Sequence, residues 1–376
     1  MAAQPANPQA DRHTVGASSR LSTSDFSERK NRFIASIYGI KRIFATLKGC
    51  CTLAAEIIPY EPDADNAAVG NGCLKTLLQS LPFSVHSVTC PVLYTPRQKK
   101  SMKRYPTTLV IAGSDSCGGA GIQADVKACA ALGVYAATAI TAVTAQNSVG
   151  VRGVYAVSPE MVRAQIDAVM EDLAVDSVKV GMLCNAAIAA AVADALEHYP
   201  GIPVILDPVM VSTSRHKLLD DDAVDVVRRR LFPLATLVTP NCDEAAMLSG
   251  VTVASIEDMR VAARRLMKEG CHALLVKGGH LSGAQSVDVL FDASQRERFF
   301  EADFCHTPNT HGTGCTLSSA IAAYMARGND LPTAVAAAKT YVTRAIEAGA
   351  DVFAGHGHGA LNHAFAPLPL AADIDM

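Results

Sequence analysis

From Thr107 onward, short runs of β-branched or apolar residues alternate with longer alanine-rich runs, and this alternation constrains the fold more than any other feature of the chain. The short runs have the length of buried strands, and the longer runs have helical spacing. Strands that are separated by helices pair in parallel, because the chain must cross back over the sheet between them. The sequence therefore predicts an α/β fold with a mostly parallel central sheet and helices on both faces.

The individual elements follow from the same pattern. The predicted strands are Thr107 to Ala112, Ala137 to Val143, Ser177 to Val180, Val204 to Leu206, Leu237 to Thr239 and Ala273 to Val276. The predicted helices include Gly119 to Leu132, Pro159 to Asp172, Ala186 to Glu197 and Asp221 to Leu231. Ser286 to Phe291 and Arg298 to Phe304 flank a polar turn and predict a late β-hairpin. In folds of this type, ligands bind beyond the carboxyl ends of the strands.

Charge divides the chain near residue 105. Residues 1–106 carry a net charge of +7, and the remainder carries −10. The alanine- and serine-rich residues 1–30 predict disorder, and 31–53 and 68–81 have the spacing of short helices. We expect an N-terminal extension over residues 1–101 and a folded domain over 102–376. A transit peptide and a true start at Met102 both remain open, so the compartment is expected to be cytoplasmic, with organellar targeting as the alternative.

Composition excludes several classes of function. The acidic domain has no basic stripe, which argues against a nucleic-acid partner, because phosphate neutralisation requires clustered Lys and Arg. No apolar run reaches the 18 to 20 residues that span a bilayer, so no membrane partner is expected. The eleven cysteines include no C-x-x-C pair, which argues against zinc and against a disulfide framework. A small-molecule partner is the prediction that remains.

The sequence N-T-H-G-T-G-C, Asn309 to Cys315, runs directly into an alanine-rich helical stretch, Thr316 to Arg327. Two glycines allow the backbone N–H groups to point inward, and the helix that follows adds its positive end. This arrangement is typical of a phosphate-binding loop in a kinase. Cys315 stands where the loop becomes a helix, so its thiol is expected to have a lowered pKa and to act as a base. The alternative is a small buried residue at a helix start.

A second glycine-rich loop, Gly113 to Asp125, follows the first predicted strand. Its glycines would allow a ligand to approach the backbone closely. A glycine-rich connection between a strand and a helix is more often only a tight turn, and no G-K-[ST] of a Walker A loop follows. On its own this loop is weak evidence of function.

Taken together, the motifs of the chain resemble a known family. The two glycine-rich loops occur with five further motifs in the order and approximate spacing of hydroxymethylpyrimidine/phosphomethylpyrimidine kinases, which are ribokinase-like. These motifs are Ala145 to Asn147, Lys179 to Leu183, Asp207 to Met210, Thr239 to Asn241 with Glu244, and Lys277 to His280. The resemblance covers about Lys103 to His363 and leaves the first hundred residues unexplained. It implies transfer of the ATP γ-phosphoryl to a hydroxymethyl aminopyrimidine and then to the resulting monophosphate.

The resemblance also implies roles for residues around the phosphates. Gly312, Thr313 and Gly314 would form the anion cradle and Cys315 would be the base, while Asn309, Thr313 and Lys277 would contact ATP. Lys277 could equally be a solvated lysine at a strand end. Asp207 and Glu244 would hold Mg²⁺ through water. Without the resemblance, Glu244 reads as an acid at a helix start and Asp207 as a turn residue before Pro208.

For the substrate, the Gln146 amide offers a donor and an acceptor, which complement the amino group and ring nitrogen of an aminopyrimidine. Met182 and Val209 would form apolar walls, with the backbones of Gly113 and Ala120 close by. An isolated Gln is ordinarily a surface residue, and Met and Val are ordinarily core residues. Only the resemblance indicates that these side chains contact the substrate. Asp125 would either orient its loop or approach the substrate.

The sequence departs from the family pattern at two places. Cys117 replaces a common Ser, and Ser214, Arg215 and His216 replace a glycine-containing turn that could form a flap. His311, His356 and His358 lack the carboxylate or Cys partners of a metal site, so exposed or phosphate-adjacent positions are expected.

The leading hypothesis is a homodimeric pyrimidine kinase, as the resemblance implies. The alternatives are a pyridoxal kinase of the same superfamily and a ligand-binding regulator without catalysis.

Overall fold

The computed structural model describes residues 103–211, 216–279, 285–294, 296–370 and 374–375. The predicted N-terminal extension with its two short helices, residues 212–215 and His280 lie outside the described residues. Among the described helices, none is long and apolar enough to cross a membrane.

A nine-stranded sheet forms the centre of the fold, in the order β10-β9-β8-β7-β6-β5-β2-β3-β4. The six strands from β8 to β3 along this order are parallel, whereas β4, β9 and β10 pair antiparallel with their neighbours. A separate two-stranded pairing joins β1 and β11. The strands are β1 (Lys103–Arg104), β2 (Thr107–Asp115), β3 (Tyr135–Asn147), β4 (Gly150–Ala156), β5 (Ser177–Val180), β6 (Val204–Leu206), β7 (Leu237–Val238), β8 (Leu274–Val276), β9 (Gln285–Phe291), β10 (Glu297–Asp303) and β11 (Ile374–Asp375).

Within the described residues, eight α-helices cover the two faces of this sheet. They are α1 (Gly121–Ala131), α2 (Pro159–Asp172), α3 (Ala186–Leu196), α4 (Asp221–Val226), α5 (Cys242–Ser249), α6 (Ile256–Lys268), α7 (Thr313–Ala326) and α8 (Leu331–Glu347). Helices α2 to α6 bury apolar side chains in one core, and α1, α7 and α8 bury theirs in a second core on the opposite face. Successive residues of β6, such as Ile205 and Leu206, point into different cores, as the pleat of a strand requires. The predicted fold class, with its late hairpin of β9 and β10, is confirmed.

Two predicted strands of the central sheet, β2 and β3, proved too short, and one strand of that sheet was missed, as were the short strands β1 and β11. β2 continues to Asp115, and β3 continues to Asn147 and turns back as β4. The Oδ1 atom of Asn147 accepts the N–H groups of Val149 and Gly150, which closes this turn locally. β4 was missed because its sequence, G-V-R-G-V-Y-A, has two glycines and little apolar alternation.

The starts of two helices differ from the prediction for a reason that matters to the site. α1 begins at Gly121 rather than Gly119, because the N–H groups of Gly119 and Ala120 donate to the Asp115 carboxylate. α7 begins at Thr313 instead of Thr316, so Cys315 lies inside its first turn. The predicted helix Asp221 to Leu231 divides into α4 and a π-helical turn before Pro233.

Candidate active site

A cavity of about 1030 Å³ opens at the carboxyl ends of β2, β5, β6, β7 and β8. Asp115, Met182, Asp207, Asn241 and Lys277 all belong to or follow the ends of these parallel strands, which is why distant motifs meet at one place. All of the predicted site residues line this cavity except Asp125 and Asn309. Those that do are Gly113, Ala120, Gln146, Met182, Asp207, Val209, Glu244, Lys277, Gly312, Thr313, Gly314 and Cys315.

The predicted anion cradle is the first turn of α7. Gly312 has φ +85° and lies so close to the other glycine-rich loop that an added Cβ would be 1.8 Å from the carbonyl oxygen of Gly119. The Thr313 N–H does not point freely into the cavity, because it makes a long hydrogen bond of 3.2 Å to the carbonyl of Thr310. The cradle is therefore built on the unpaired N–H groups that start a helix, with Thr313 as a partly engaged member.

An ammonium and two carboxylates lie beside this cradle. Nζ of Lys277 is 2.7 Å from Oδ1 of Asp207 and 3.9 Å from Oε2 of Glu244. A Cβ added at Gly314 would be 3.2 Å from the same ammonium, so Lys277 reaches the first turn of α7. Burial alone raises the pKa of Asp207, but Lys277 and Lys179 outweigh it and hold this pKa below its usual range. The charges of this cluster are thus arranged around an ionised Asp207.

Glu244 has a structural duty as well as a place in the cluster. It forms a capping box at the start of α5, in which Asn241 accepts from the Glu244 N–H and Glu244 accepts from the Asn241 N–H. Burial raises its pKa to about 7, against the attraction of Lys277. The expected acid at a helix start and the expected cavity acid are therefore the same residue.

The donor chemistry of Asp207 and Glu244 fits Mg²⁺, which prefers carboxylate, phosphate and water oxygens. No three His, Cys, Asp or Glu side chains of the described residues are grouped so that they could hold a metal ion. These two carboxylates would therefore share the ion with phosphate and water oxygens, which is how Mg²⁺ usually binds at phosphoryl-transfer sites.

Cys315 lies where it was expected, but its thiol is less acidic than expected. The helix-start argument predicted a lowered thiol pKa, whereas burial raises the pKa of Cys315 to about 11. Lys179 opposes this rise, and Asp125 and Asp207 add to it. The prediction was wrong because it counted the positive helix end and left out both desolvation and two nearby carboxylates, which the sequence does not reveal.

Asp125 does not reach the cavity. Its side chain is completely buried, and its carboxylate lies 2.8 Å from Nζ of Lys179 and accepts from Oγ of Ser319. Direct contact with a substrate would require these bonds to break inside the core. The buried position of Asp125 fits the alternative that it orients part of the site, and its role stays a prediction.

Asn309 also points away from the cavity. Its side-chain amide donates to the carbonyl oxygens of Gly349 and Val352, both at 2.8 Å. A Cβ added at Gly359 would fall on the Asn309 side chain, so the amide is enclosed by the C-terminal segment. Asn309 therefore fixes the start of the phosphate-binding loop, and its expected contact with ATP stays a prediction.

At the opposite end of the cavity, Met182 and Val209 form an apolar wall near Gly113. Gln146 faces this region, and its amide nitrogen as placed lies 3.1 Å from Nε2 of His311, which is also 3.0 Å from Oδ2 of Asp115. A carboxylate can only accept, so Nε2 carries a hydrogen toward Asp115, and the oxygen of the Gln146 amide belongs beside it. The amino group of Gln146 is then available to a ligand.

Sequence reasoning gave no role to Asp115, Lys179 and Lys339, and it expected His311, the other of four groups, to be exposed or adjacent to a phosphate. Asp115 and His311 tie the two glycine-rich loops together, and both are buried. Lys179 is fully buried at the floor of the cavity. A lysine inside an otherwise apolar strand was the available signal for Lys179, since lysine is seldom buried without a partner. The fourth group, Lys339 paired with Asp288 at 2.8 Å, depends on a contact between α8 and β9 that no local motif encodes.

The Asp115 carboxylate shows how the loop is held. It accepts from the N–H groups of Cys117, Gly119 and Ala120 in addition to His311. Burial raises its pKa, but the hydrogen bonds from His311 and the backbone N–H groups outweigh burial and lower it. An ionised Asp115 therefore shapes the substrate end of the cavity.

Comparison with known proteins identifies relatives of this chain. The family model for phosphomethylpyrimidine kinase matches residues 115–362. A hydroxymethylpyrimidine/phosphomethylpyrimidine kinase of Rhizobium meliloti is 50% identical over 256 residues, which cover 68% of this chain and 96% of that protein. The thiamine biosynthesis bifunctional protein of Geobacter sulfurreducens is 49% identical over 260 residues, 69% of this chain, but the chain spans only 52% of its length. The ADP complex of Bacillus subtilis pyridoxal kinase superposes with a TM-score of 0.63 at 35% identity, covering 68% of this chain and 96% of that one.

Proposed function

The chain belongs to the phosphomethylpyrimidine kinase family, and on that premise we propose that it phosphorylates 4-amino-5-hydroxymethyl-2-methylpyrimidine with ATP and then phosphorylates the monophosphate. One observation carries this proposal. A single cavity joins an apolar wall with an amide donor to a helix-start anion cradle, and Cys315 lies among the residues that line it. A binding protein without catalysis would not require this set of charges.

The chemistry is a transfer between two oxygens. The hydroxymethyl oxygen forms a bond to the γ-phosphorus, the bond from that phosphorus to the β-phosphate oxygen breaks, and ADP leaves with the electron pair. The hydroxyl proton passes to the sulfur of Cys315 in its thiolate form and then to solvent. The work left to the protein is positioning and charge neutralisation, since phosphoryl transfer needs little covalent help.

The residues divide into groups by position. The first turn of α7 would receive the transferred phosphoryl group, and Lys277 would exchange Asp207 for a phosphate oxygen as a mobile point charge. Asp207 and Glu244 would hold Mg²⁺, which supplies charge neutralisation to the phosphates when bound. Gln146 would donate to a ring nitrogen of the pyrimidine, with Met182 and Val209 against the ring.

A second candidate function has one observation in its favour. The chain superposes on the Bacillus subtilis pyridoxal kinase over 96% of that chain, so the same cavity could accept pyridoxal. Pyridoxal and the pyrimidine share a flat ring with a hydroxymethyl arm, and the cradle and the ammonium would serve either alcohol. Substrate choice then depends on the wall around Gln146, Met182 and Val209.

The test is mass spectrometry of the products made by the full chain with Mg-ATP. The pyrimidine alcohol, its monophosphate and pyridoxal are supplied in separate reactions, with Cys315→Ala as the matched control. Mono- and diphosphorylated pyrimidine from the wild type, and at least a hundredfold less from the control, are expected if Cys315 is the base. Pyridoxal phosphate alone would replace this function with the second candidate. Ligand-induced stabilisation without any product would indicate a regulator instead.

We also propose that the protein is a homodimer in the cytoplasm. The proposal of a dimer is based on the family resemblance. The proposal of a cytoplasmic compartment is based on free cysteines, three of which, Cys129, Cys242 and Cys271, are buried. Light scattering of the purified full chain would test the first point, and a single-subunit mass would reject it. Fractionation of cells that express the tagged full chain would test the second point, and recovery in an organelle would reject it.

A further inference from the structure

Two consecutive serines on α7 follow Cys315 by about one helical turn, and each lies beside a carboxylate of a buried ion pair. Oγ of Ser318 lies 3.3 Å from Oδ2 of Asp207, which is paired with Lys277, but it is closer to the helix carbonyl oxygens of Gly314 and Cys315, at 3.1 and 3.0 Å. Ser319 donates to Oδ1 of Asp125 at 2.5 Å, and Asp125 is paired with Lys179. Through Ser319, the helix that carries Cys315 is therefore hydrogen-bonded to the buried ion pair of Asp125 and Lys179.

The two ammonium groups differ in freedom. The side chain of Lys277 is 13% exposed beside the cradle, so it can leave Asp207 for a phosphate. The side chains of Lys179 and Asp125 are both 0% exposed. A Cβ added at Gly181 would lie 2.7 Å from Nζ of Lys179, so the backbone also encloses this ammonium. Lys179 is thus a fixed charge, whereas Lys277 is a movable one.

Burying this ion pair is costly, and stability does not explain it. An apolar pair of similar volume at the same place would usually be as stable or more so. Lys179 also lines the cavity together with Cys315, although it has no exposed surface of its own. A charge that is kept at this cost, at the floor of the reacting cavity, points to a role in the reaction.

Several charged groups act on the Cys315 sulfur from the surrounding elements. Lys179 on β5 and Lys277 after β8 are the cations, and Asp125 on α1 and Asp207 after β6 are the anions. The backbone N–H of Gly121 also faces the sulfur. Of these groups, Lys179 has the largest effect in lowering the thiol pKa, while Asp125 is the first of the carboxylates that raise it.

We propose that Lys179 is a positioning residue for phosphoryl transfer, which holds negative charge on the Cys315 sulfur while Asp125 and Ser319 hold Lys179 in place. This rests on the proposed function, in which the thiolate of Cys315 accepts the proton of the substrate hydroxyl. Lys179 gives up no proton in the step, and its charge favours the thiolate in which the reaction begins. Asp125 limits this effect, because its carboxylate draws on the same ammonium.

The test compares two isosteric variants that should move Cys315 in opposite directions. Iodoacetamide alkylation of Cys315 is followed by peptide mass spectrometry from pH 7 to 10 in the full chain, with Cys117 as internal control. Cys117 is exposed on the second glycine-rich loop, Gly113 to Asp125, which we call the substrate loop, and its pKa responds to Asp115 and Lys127 and not to Lys179. Below its pKa a thiol reacts in proportion to its thiolate fraction, so a shift of one pKa unit changes the rate about tenfold.

Lys179→Met is expected to slow alkylation of Cys315 about tenfold or more, while Asp125→Asn is expected to accelerate it by a similar factor. Cys117 should be unchanged in both variants. In steady-state assays, kcat of Lys179→Met should fall while KM for ATP stays within about twofold of wild type, because the Lys179 side chain has no exposed surface with which to contact a nucleotide. The double variant Lys179→Met/Asp125→Asn removes both charges, avoids an unpaired buried carboxylate and should also react more slowly than wild type.

A purely structural role predicts a different pattern. Loosening the floor of the cavity would expose Cys315 and accelerate alkylation in all three variants, or would leave it unchanged, and either result overturns the proposal. The alkylation readout does not depend on turnover. If the pyrimidine is not a substrate but alkylation shifts in opposite directions, the proposed function fails and the link between Lys179 and Cys315 stands.

Discussion

Cys315 is the residue whose chemistry departs most from expectation. A thiol with a pKa of about 11 is almost entirely protonated near neutrality, and only about one molecule in 10⁴ carries the thiolate at pH 7. A thiolate with so high a pKa is nevertheless a strong base. This combination suits a reaction in which the substrate hydroxyl loses its proton late, after phosphorus–oxygen cleavage is advanced.

The pH dependence of turnover follows from the direction of this shift. The thiol pKa is raised, so the thiolate fraction increases tenfold per pH unit over the whole range below pH 11. We expect kcat of the wild type to rise steadily from pH 7 to 9, without the plateau that an ordinary cysteine would give near pH 8.5. Cys315→Ala should lose this dependence along with about 10² to 10⁴ of its activity. A pH-independent wild type would reject the thiolate as the base.

Asp115 gives a second prediction at the residue scale. Asp115→Asn replaces one acceptor oxygen by a donor that faces the N–H groups of the loop and His311. We expect KM for the pyrimidine to rise about tenfold, with a loss of about 1–3 kcal/mol in the free energy of unfolding, because N–H groups lose their partner. Substrate titrations and denaturant unfolding would measure the two effects.

Asp176→Asn is the matched control for this change. Asp176 accepts the N–H of Thr107 at the start of β2, at the opposite end of the strand from the cavity. It should lower stability but leave KM unaltered. An equal rise of KM in both variants would show that general loosening, and not the orientation of Gln146 through His311, sets substrate affinity.

At the scale of elements, the site depends on two loops that fit against each other with no spare volume. Gly312 combines a left-handed backbone with contact to the Gly119 carbonyl, and an added Cβ at Gly119 would in turn lie 2.4 Å from Cδ2 of His311. The N-terminus of α7 therefore cannot move without moving the substrate loop. Such mutual contact holds the cradle at a fixed distance from the substrate end, as phosphoryl transfer requires.

Gly312→Ala tests this fit, with Gly328→Ala as a matched control. Both glycines have nearly the same backbone, φ +85° and +84°, but nothing lies within 4 Å of a Cβ at Gly328. The control should cost about 1–2 kcal/mol of unfolding free energy, as a left-handed alanine does, with activity preserved. Gly312→Ala should cost about 1–3 kcal/mol more, and its kcat should fall about a hundredfold as the cradle shifts. Equal stability and equal activity in the two variants would contradict the proposed close fit.

The sequence revealed the elements better than their ends. Strands β5 and β6 and helix α2 were predicted with the observed bounds, because short apolar runs and a Ser-Pro helix start are local signals. The boundaries that failed, at Gly119 and Thr316, are set by hydrogen bonds to Asp115 and by the approach of two loops far apart in sequence. Periodicity cannot contain such information.

At the scale of the whole molecule, some features of the site follow from local sequence signals and others depend on long-range contacts. The loops with glycines and the polar residues at strand ends could be predicted from sequence, since parallel topology brings strand ends together. The acidity of Cys315 and the buried positions of Asp125 and Asn309 could not be predicted from the sequence. They depend on which side chains of α1, β5 and the C-terminal segment fill the space behind the cavity.

His363 is a buried residue that contacts the start of α7, where the predicted anion cradle lies, so its protonation would affect both stability and the cradle. It is buried, its Nε2 lies 2.9 Å from Oγ1 of Thr316, and Thr316 in turn donates to the carbonyl of Gly312. Burial lowers the pKa of His363 to about 4, with a smaller contribution from Lys127. Protonation of this histidine would therefore act against the folded state and loosen the start of α7.

The sign of the pH effect follows from that lowered pKa. Between pH 6.5 and 4 the unfolded chain binds a proton at His363 that the folded chain excludes, so stability falls as the pH falls. From pH 7 to 5 this amounts to about 2 kcal/mol in the free energy of unfolding. His363→Gln keeps a donor for Thr316 without titrating, and urea unfolding at both pH values should show a loss smaller by this amount. His198→Gln, at an exposed site, should keep the wild-type loss, and identical losses in all three proteins would exclude His363 as a source of acid sensitivity.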